Sequence, residues 1–279
     1  MNRKNINKRE GVEIKYSRKL KYIKFIFKFV PRINFFYKIS IWYVRHFFGY
    51  TYGVNNASDE LNIIIKICKK KPLIFDIGGN LGEWSLSVIK KITDAKIHMF
   101  EPSPSIYSAA QTNVQNYNIK VNNLAVGDKV EKRKFFIYDT SAISSFYKND
   151  DFYTNQIELV DTITLDKYCF SHKLNLIDYL KIDTEGHDLY VLKGAEKMLD
   201  SKKINFIQFE YGPSNIHSKV LFKDILNFLI NKNYFVFRIY PSFIKPIVQY
   251  SSELENFVLV NYISVSSNMV EKVESLIKK

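Results

Sequence analysis

Cysteine is nearly absent from this chain: Cys68 and Cys169 are the two in 279 residues. That is too few for a disulfide framework or a thiolate zinc site, so a reducing, cytoplasmic compartment is expected. Ten glycines and seven prolines exclude a collagen-like or low-complexity chain. No run of about 18 uncharged apolar residues occurs, so no conventional transmembrane helix is expected. Charges interrupt every apolar run and no small-residue cleavage site follows, which excludes a typical secretory signal. Acid is scarce at one end. Residues 1–50 carry 13 Lys and Arg against Glu10 and Glu13, leaving 28 against 26 on the remainder. The formal charge of +13 therefore belongs to the N-terminal arm, and a partner drawn by charge would meet that arm. What the chain has in quantity is apolar surface. With 46% hydrophobic and 15% aromatic residues, it is no disordered chain and can bury one generous domain plus an extension.

The arm, residues 1–57, has a pattern of its own. Lys21, Lys24 and Lys28 fall at helical spacing as a narrow cationic stripe, with aromatic and aliphatic residues around it, until Pro31 interrupts. A second run from Ile33 to Phe48 is broken only by Asn34, Lys38, Ser40, Arg45 and His46, and contains Trp42 and Tyr43. Wide aromatic faces with cationic edges suit a helix lying in the headgroup layer of an anionic membrane, here the inner face. They suit equally a helix pair packed on the rest of the chain or on a twin subunit. The aromatics sit among Ile and Val like core residues rather than as base-stacking platforms, which disfavours nucleic acid as a partner.

From residue 58 the pattern changes. Leu61, Ile64, Ile65 and Cys68 define an amphipathic helix capped by Ser58 or Asp59. Strands are expected at 73–77, 96–100, 120–124, 134–138, 176–182 and 204–209, with helices at about 83–92, 104–117, 187–200 and 218–231. In the last of these Leu221, Ile225, Phe228 and Leu229 face inward. Two strands, 234–240 and 256–262, follow without a helix between them, and a short helix is expected in the tail, 266–279. Alternating strands and helices mean a mostly parallel, doubly wound sheet with an antiparallel edge pair, spanning residues 58–265.

Ligands in such sheets lie at the carboxyl ends of the strands. The first strand ends in Asp76-Ile77-Gly78-Gly79-Asn80-Leu81-Gly82-Glu83. A dinucleotide fingerprint starting at Gly78 needs glycine at positions 80 and 83, which are Asn80 and Glu83. A carboxylate opening the helix would repel the pyrophosphate that such a loop cradles. The pattern present, Asp-x-Gly-x-Asn-x-Gly, places an acid two residues before the first glycine. That suits a ligand with an ammonium group and no phosphate, such as S-adenosylmethionine. Glu101, at the end of the second strand, can accept hydrogen bonds from vicinal ribose hydroxyls.

Five further motifs follow in order: Phe100-Glu101-Pro102-Ser103-Pro104, Ala125-Val126-Gly127-Asp128, Thr164-Leu165-Asp166, Leu180-Lys181-Ile182-Asp183-Thr184-Glu185-Gly186 and Val191-Leu192-Lys193-Gly194-Ala195. With the glycine turn, they make the sequence resemble the FkbM-type methyltransferases, a branch of the class I S-adenosylmethionine-dependent enzymes. The resemblance covers about residues 72–212 and leaves the arm outside. It implies a Rossmann-like α/β fold with a seven-stranded, mostly parallel sheet and an antiparallel edge pair. It implies that Asp76, Gly78, Gly79, Asn80 and Gly82 hold the methionine moiety, that Glu101 holds the ribose, and that Asn123 to Val126, including Ala125, lie near the adenine. Gly79 stands where the family usually has alanine, a change expected to be harmless. The family's acceptors are hydroxyls on sugars, polysaccharides and small metabolites.

Methyl transfer needs acceptor oxygen, methyl and sulfur in line, and a group to take the hydroxyl proton. Asp183, Glu185, His187 and Glu210 are the candidates, with Asp188 in a helix-terminal role. Amine-methylating enzymes often carry a (D/N/S)-P-P-(Y/F) segment at this place. Here stand Ile182-Asp183-Thr184-Glu185, without proline, which favours a hydroxyl acceptor on a carbohydrate or glycolipid. The carboxylates could also bind Mg2+, a minority reading. His46, His98, His172 and Cys169 lack metal-ligand spacing, so no zinc site is expected. The polar segment from Asp139 to Gln156, with Ser141, Ser144, Ser145, Tyr147, Asp150, Asp151 and Tyr153, suits a sugar-like acceptor or an ordinary surface loop. The competing functions are a nicotinamide-dependent oxidoreductase, which needs a glycine at position 83, and a non-catalytic interaction module, against which Asp76, Gly78, Gly82 and Glu101 argue.

Overall fold

The computed structural model describes residues 25, 33–47, 57–138, 140–150, 152–154 and 156–278. The Lys21, Lys24 and Lys28 stripe, the break at Pro31, and Asp139 and Asp151 of the polar segment lie outside the described residues. The chain divides into two units, Met1–Phe47 and Phe48–Lys279. In the first, Asn34–Phe47 forms helix α1.

The second unit runs α2 (Ala57–Ile67), β1 (Leu73–Ile77), α3 (Glu83–Lys91), β2 (Lys96–Phe100), α4 (Pro104–Val114), β3 (Ile119–Asn122), β4 (Ala125–Val126), β5 (Lys132–Ile137) and β6 (Gln156–Ile163). It continues with α5 (Leu165–Ser171), β7 (Ile177–Ile182), α6 (Asp188–Lys193), α7 (Glu196–Asp200), β8 (Ile204–Tyr211), α8 (Ser214–Ser218), α9 (Phe222–Asn231), β9 (Tyr234–Ile239), β10 (Ile244–Pro246), β11 (Val260–Ser266) and a terminal 3-10 helix over Ser267–Leu276. The main sheet has the order β10-β9-β11-β8-β7-β1-β2-β3. Strands β3, β2, β1, β7 and β8 are parallel. β11 runs antiparallel between β8 and β9.

The doubly wound α/β fold is the expected one, with eight strands in place of seven. The eighth is β10, three residues antiparallel to β9 at the sheet edge. A strand that short, ending in Pro246, has no readable alternation, and proline is tolerated there because the edge needs no further donor. β9 and β11 do pair antiparallel, but β11 lies inside the sheet and begins at Val260, four residues beyond the expected start.

Alternation along the strands explains the two layers. Phe75, Ile77, Leu180 and Ile182 face a core with Leu192, Ile225 and Leu229 of the later helices. Their neighbours Ile74 and Tyr179 face the opposite core, with Ile63, Ile64 and Ile67 of α2. α2 starts at Ala57, so Ser58 and Asp59 lie inside its first turn rather than capping it. Ile65 is exposed, and Ile63 and Ile67 take the buried places given to it and Cys68. α9 begins at Phe222, which leaves Leu221 exposed at the cap, and Leu226 is buried in its stead.

The helix expected over 187–200 is two. The Gly194 carbonyl accepts from Asp166 N–H, and the Asp166 carboxylate accepts from the N–H groups of Lys197 and Met198, which start α7. A Cβ on Gly194 would lie 2.0 Å from the Gly127 carbonyl oxygen, so the break also seats the turn after β4. Beyond the main sheet, β4, β6 and β5 form a second, three-stranded sheet. Strand β6 was not anticipated, because it exposes Ile157 and Leu159 on the face where a strand's polar residues are expected.

Candidate active site

The register brings the carboxyl ends of four parallel strands to one level. Ile77 pairs with Phe100 and with Ile182, and Ile182 pairs with Phe209. The next residues, Gly78, Glu101, Asp183 and Glu210, therefore emerge side by side where β1 meets its two neighbours and the chain's winding reverses. The turn is locked by backbone bonds: Gly78 and Gly79 N–H donate to the Phe100 carbonyl, and Asp183 N–H donates to the Ile77 carbonyl. Gly78 has φ +81°, and a Cβ on it would lie 1.9 Å from the Asp183 carbonyl oxygen. Only glycine fits both demands.

Above this rim lies a cavity of about 330 Å3. Its floor is Gly78, Glu101, Asp183 and Glu210; the second sheet supplies Ala125, Val126 and Phe135; the polar segment closes it with Ser141, Ser144 and Phe146. Four carboxylates, those of Glu101, Asp183, Glu185 and Glu210, line it, and among the described residues no lysine or arginine does. A second recess of about 280 Å3 shares Gly78, Asn80 and Asp183 with the first and adds Trp84 and Lys181.

The Glu101 carboxylate is held at the wall by two backbone donors, Asn80 N–H and Ser103 N–H, each at 3.0 Å. Burial pushes it up to about 7 against those bonds. Asn80 sits at φ +47°, and its side-chain oxygen accepts from the Ser141 hydroxyl at 3.0 Å, tying the polar segment to the glycine turn. Asn123 is exposed and donates to the carbonyls of Glu101 and Pro102, fixing that turn from outside the cavity. Gly79 lines only the second recess, and Gly82 lines neither. Gly82 takes φ +84° to start α3, and Gly79 packs on the Met99 side chain.

Asp76 is fully buried and lines neither recess. It accepts from the Ser85 hydroxyl at 2.7 Å, and its other oxygen lies 3.6 Å from the Lys181 ammonium. Lys181, itself 7% exposed, reaches the Asp183 carboxylate at 3.0 Å. It thus joins the buried acid to the rim acid, with its ammonium 5.3 Å from the Trp84 ring centre. No separate role was read for Lys181 from sequence, although a lysine inside an otherwise buried strand was a signal.

Asp183, Glu185 and Glu210 offer oxygens that all lie within 4.8 Å of one another. Such a set suits a hard divalent cation as well as a proton. Glu185 sits at φ +51° and accepts from the Ser214 hydroxyl. Burial, then the neighbouring Asp183, pushes Glu185 up to about 7. Glu210 is driven well above the usual carboxylate range by burial, then by Asp183 and Glu185. Asp188 is buried one turn on, pushed up to about 8 by burial and by Asp183, and accepts from the Thr184 hydroxyl. His187 lies behind Phe146, off the cavity wall. It shares a 2.9 Å hydrogen bond with Tyr147 and is pushed down to about 3 by burial and then Arg133, so it stays neutral. Of the polar segment, Ser145 is buried in a pair of backbone bonds with Phe136, while Asp150 and Tyr153 face solvent.

A doubly wound sheet with a glycine turn after its first strand, a buried carboxylate after its second and an acid-lined cavity between them is the arrangement of a class I S-adenosylmethionine-dependent methyltransferase. A cationic sulfonium donor fits a wall with four carboxylates and no lysine or arginine among its described residues, whereas a pyrophosphate does not. Residues 76–236 match the Methyltransferase FkbM domain family, and the chain belongs to that family.

Among relatives, it is 25% identical to the hexuronic acid methyltransferase AglP of Haloferax volcanii over 191 residues, 68% of this chain and 72% of that protein. It is 25% identical to the 31-O-demethyl-FK506 methyltransferase FkbM of Streptomyces tacrolimicus over 154 residues, 44% of this chain. The latter match spans 59% of the relative, less than two thirds of its length. Among solved structures, the M. capricolum TrmK complex with S-adenosyl-homocysteine aligns at 14% identity and TM-score 0.41, covering 75% of this chain and 68% of that one. The Geobacter metallireducens precorrin-6y C5,15-methyltransferase aligns at 10% identity and TM-score 0.42, covering 76% and 89%.

Proposed function

We propose that this methyltransferase acts on a hydroxyl group of a sugar, polysaccharide or glycolipid. The observation that carries the reading is the wall of the cavity: the Glu101 carboxylate beyond β2, three more clustered across the rim, and no lysine or arginine among the described lining residues, Lys181 reaching Asp183 from outside the cavity. S-adenosylmethionine supplies an electrophilic methyl group there. Glu101 would accept hydrogen bonds from the ribose hydroxyls, with its oxygens already oriented by Asn80 and Ser103. Ala125 and Val126 would flank the adenine, and Gly78 to Gly82 the methionine moiety, with Asp76 acting through Lys181 beneath them.

On the acceptor side, the group formed by Asp183, Glu185 and Glu210 would orient the hydroxyl and take its proton. Glu185, poised near neutrality, suits the base, because it is a stronger proton acceptor than an ordinary carboxylate yet ionises at working pH. Glu210, driven well above the usual carboxylate range by burial and then by Asp183 and Glu185, would donate to the acceptor or to its neighbours. The polar segment, closed over the cavity through Ser141 and Phe146, excludes water from the transferring methyl. The name of AglP, a hexuronic acid methyltransferase, supports a carbohydrate acceptor, as does the lack of proline after Ile182.

Calorimetry with S-adenosylmethionine and with NAD tests the donor site. The first should bind and the second should not, and Glu101→Gln should weaken the first by about tenfold, as expected for a lost charge-assisted bond of ~1.5 kcal/mol. NAD binding without donor binding would sink the proposal. For the acceptor side, Glu185→Gln should lower kcat by about 10²–10⁴-fold at unchanged donor affinity. Methyl-tritiated donor incubated with fractionated glycans reads both the rate and the acceptor; label recovered on protein or RNA alone would refute the carbohydrate reading.

A further inference from the structure

Helix α1 is apolar around most of its circumference, and its side chains from Asn34 to Val44 are exposed, Ile41 apart. Phe35, Phe36, Tyr37, Ile39, Trp42, Tyr43 and Val44 are each between 45% and 64% exposed. A helix of this kind in water requires a covering surface. At 100° per residue, Asn34 and Lys38 fall on one narrow strip, and the remaining directions from Phe35 to Val44, that of Ser40 apart, carry an apolar residue. Fourteen residues make about 21 Å of helix, short of the ~30 Å hydrocarbon core. No helix among the described residues is long and apolar enough to cross a membrane.

Charge selects the cover. From Ile14 to Ser58 the sequence has nine Lys and Arg and no acid. A second copy of the arm would bring the same charge and repel it. A nucleic acid would match the charge but offers nothing to bury Ile39, Val44 and the phenylalanines. An anionic bilayer offers both phosphate groups for the basic residues of the arm and an acyl boundary for the apolar face.

We infer that α1 docks the protein on an anionic membrane surface, lying in the interface with Lys38 toward the headgroups. The inference stands apart from methyl transfer and does not depend on the acceptor.

The test is co-sedimentation of the full chain with large vesicles of phosphatidylcholine alone or with about one third phosphatidylglycerol. Binding to the anionic vesicles should exceed binding to the neutral ones by about tenfold or more and fall steeply with salt. The double variant Phe35→Gln, Phe36→Gln should weaken that binding by about tenfold or more, while donor affinity by calorimetry stays unchanged and so reports an intact catalytic unit. Equal recovery with both vesicles, recovery with neither, or anionic binding that the double variant leaves untouched overturns the inference. So does a dimer, seen by light scattering, that the double variant dissociates.

Discussion

Gly79 and Met99 share one space. A Cβ on Gly79 would lie 2.4 Å from Met99 Cγ and 2.6 Å from its methyl carbon, so the thioether fills the volume that an alanine at position 79 would claim. The substitution looks neutral in the turn motif but requires the methionine to move. Gly79→Ala should cost ~1–3 kcal/mol by overpacking, and a smaller residue at 99, as in Gly79→Ala with Met99→Val, should recover much of it. Denaturant melts of the two single variants and the double variant measure the coupling, and additive losses would show that the side chains do not compete. Gly78→Ala has no such escape, since its conflict is with the backbone oxygen of Asp183.

Strand β7 carries the electrostatic design of the site. Its inner position holds Lys181 between Asp76 and Asp183, at 3.6 and 3.0 Å, with Trp84 against the ammonium. Removing the lysine leaves the fully buried Asp76 carboxylate with only Ser85 as partner. Lys181→Met should therefore destabilise by ~3–5 kcal/mol, and Asp76→Asn in the same chain should restore part of that loss, because the uncompensated charge goes with it. The readout is a double-mutant cycle on thermal or denaturant unfolding; a Lys181→Met variant as stable as the parent would refute the pairing. Elements of this kind explain what was readable beforehand. The glycine turn and the acids at 101 and 183 were legible because a strand end is a local pattern. That Asp76 turns away from the cavity was not, because its partners Ser85 and Lys181 lie nine and 105 positions along the chain. Strand β6 was missed for a different reason: Ile157 and Leu159 break the polar-outward alternation by which a strand is recognised.

At the scale of the whole molecule, the acid-lined cavity makes stability depend on pH. Glu101 and Glu185 are raised to about 7, Asp188 to about 8 and Glu210 well above its usual range, all by burial first. Their unfolded forms ionise near 4, so the folded state holds the extra protons, and the stability they contribute at low pH is lost as pH rises through the folded values. His98 and His187, lowered to about 4 and about 3, act oppositely, but only below their unfolded value near 6.5. Between pH 6.5 and 8 the carboxyls act alone. Each group still protonated contributes a loss of ~1.4 kcal/mol per pH unit, so Tm should fall by at least ~3 °C across that window. Glu210→Gln should flatten the slope, and a Tm that rises from pH 6.5 to 8 would contradict the burial of these acids. The sequence by itself determined the alternation of strands and helices, the doubly wound class, the glycine turn after the first strand and the confinement of positive charge to the arm, since each is written in neighbouring residues. Tertiary structure alone decided that β11 enters the sheet between β8 and β9, that His187 serves Tyr147 behind the wall, and that oxygens of three acids from two strand ends converge within 4.8 Å of one another. Those outcomes depend on register and packing between segments far apart in the chain, and no local pattern encodes a distance between two such segments.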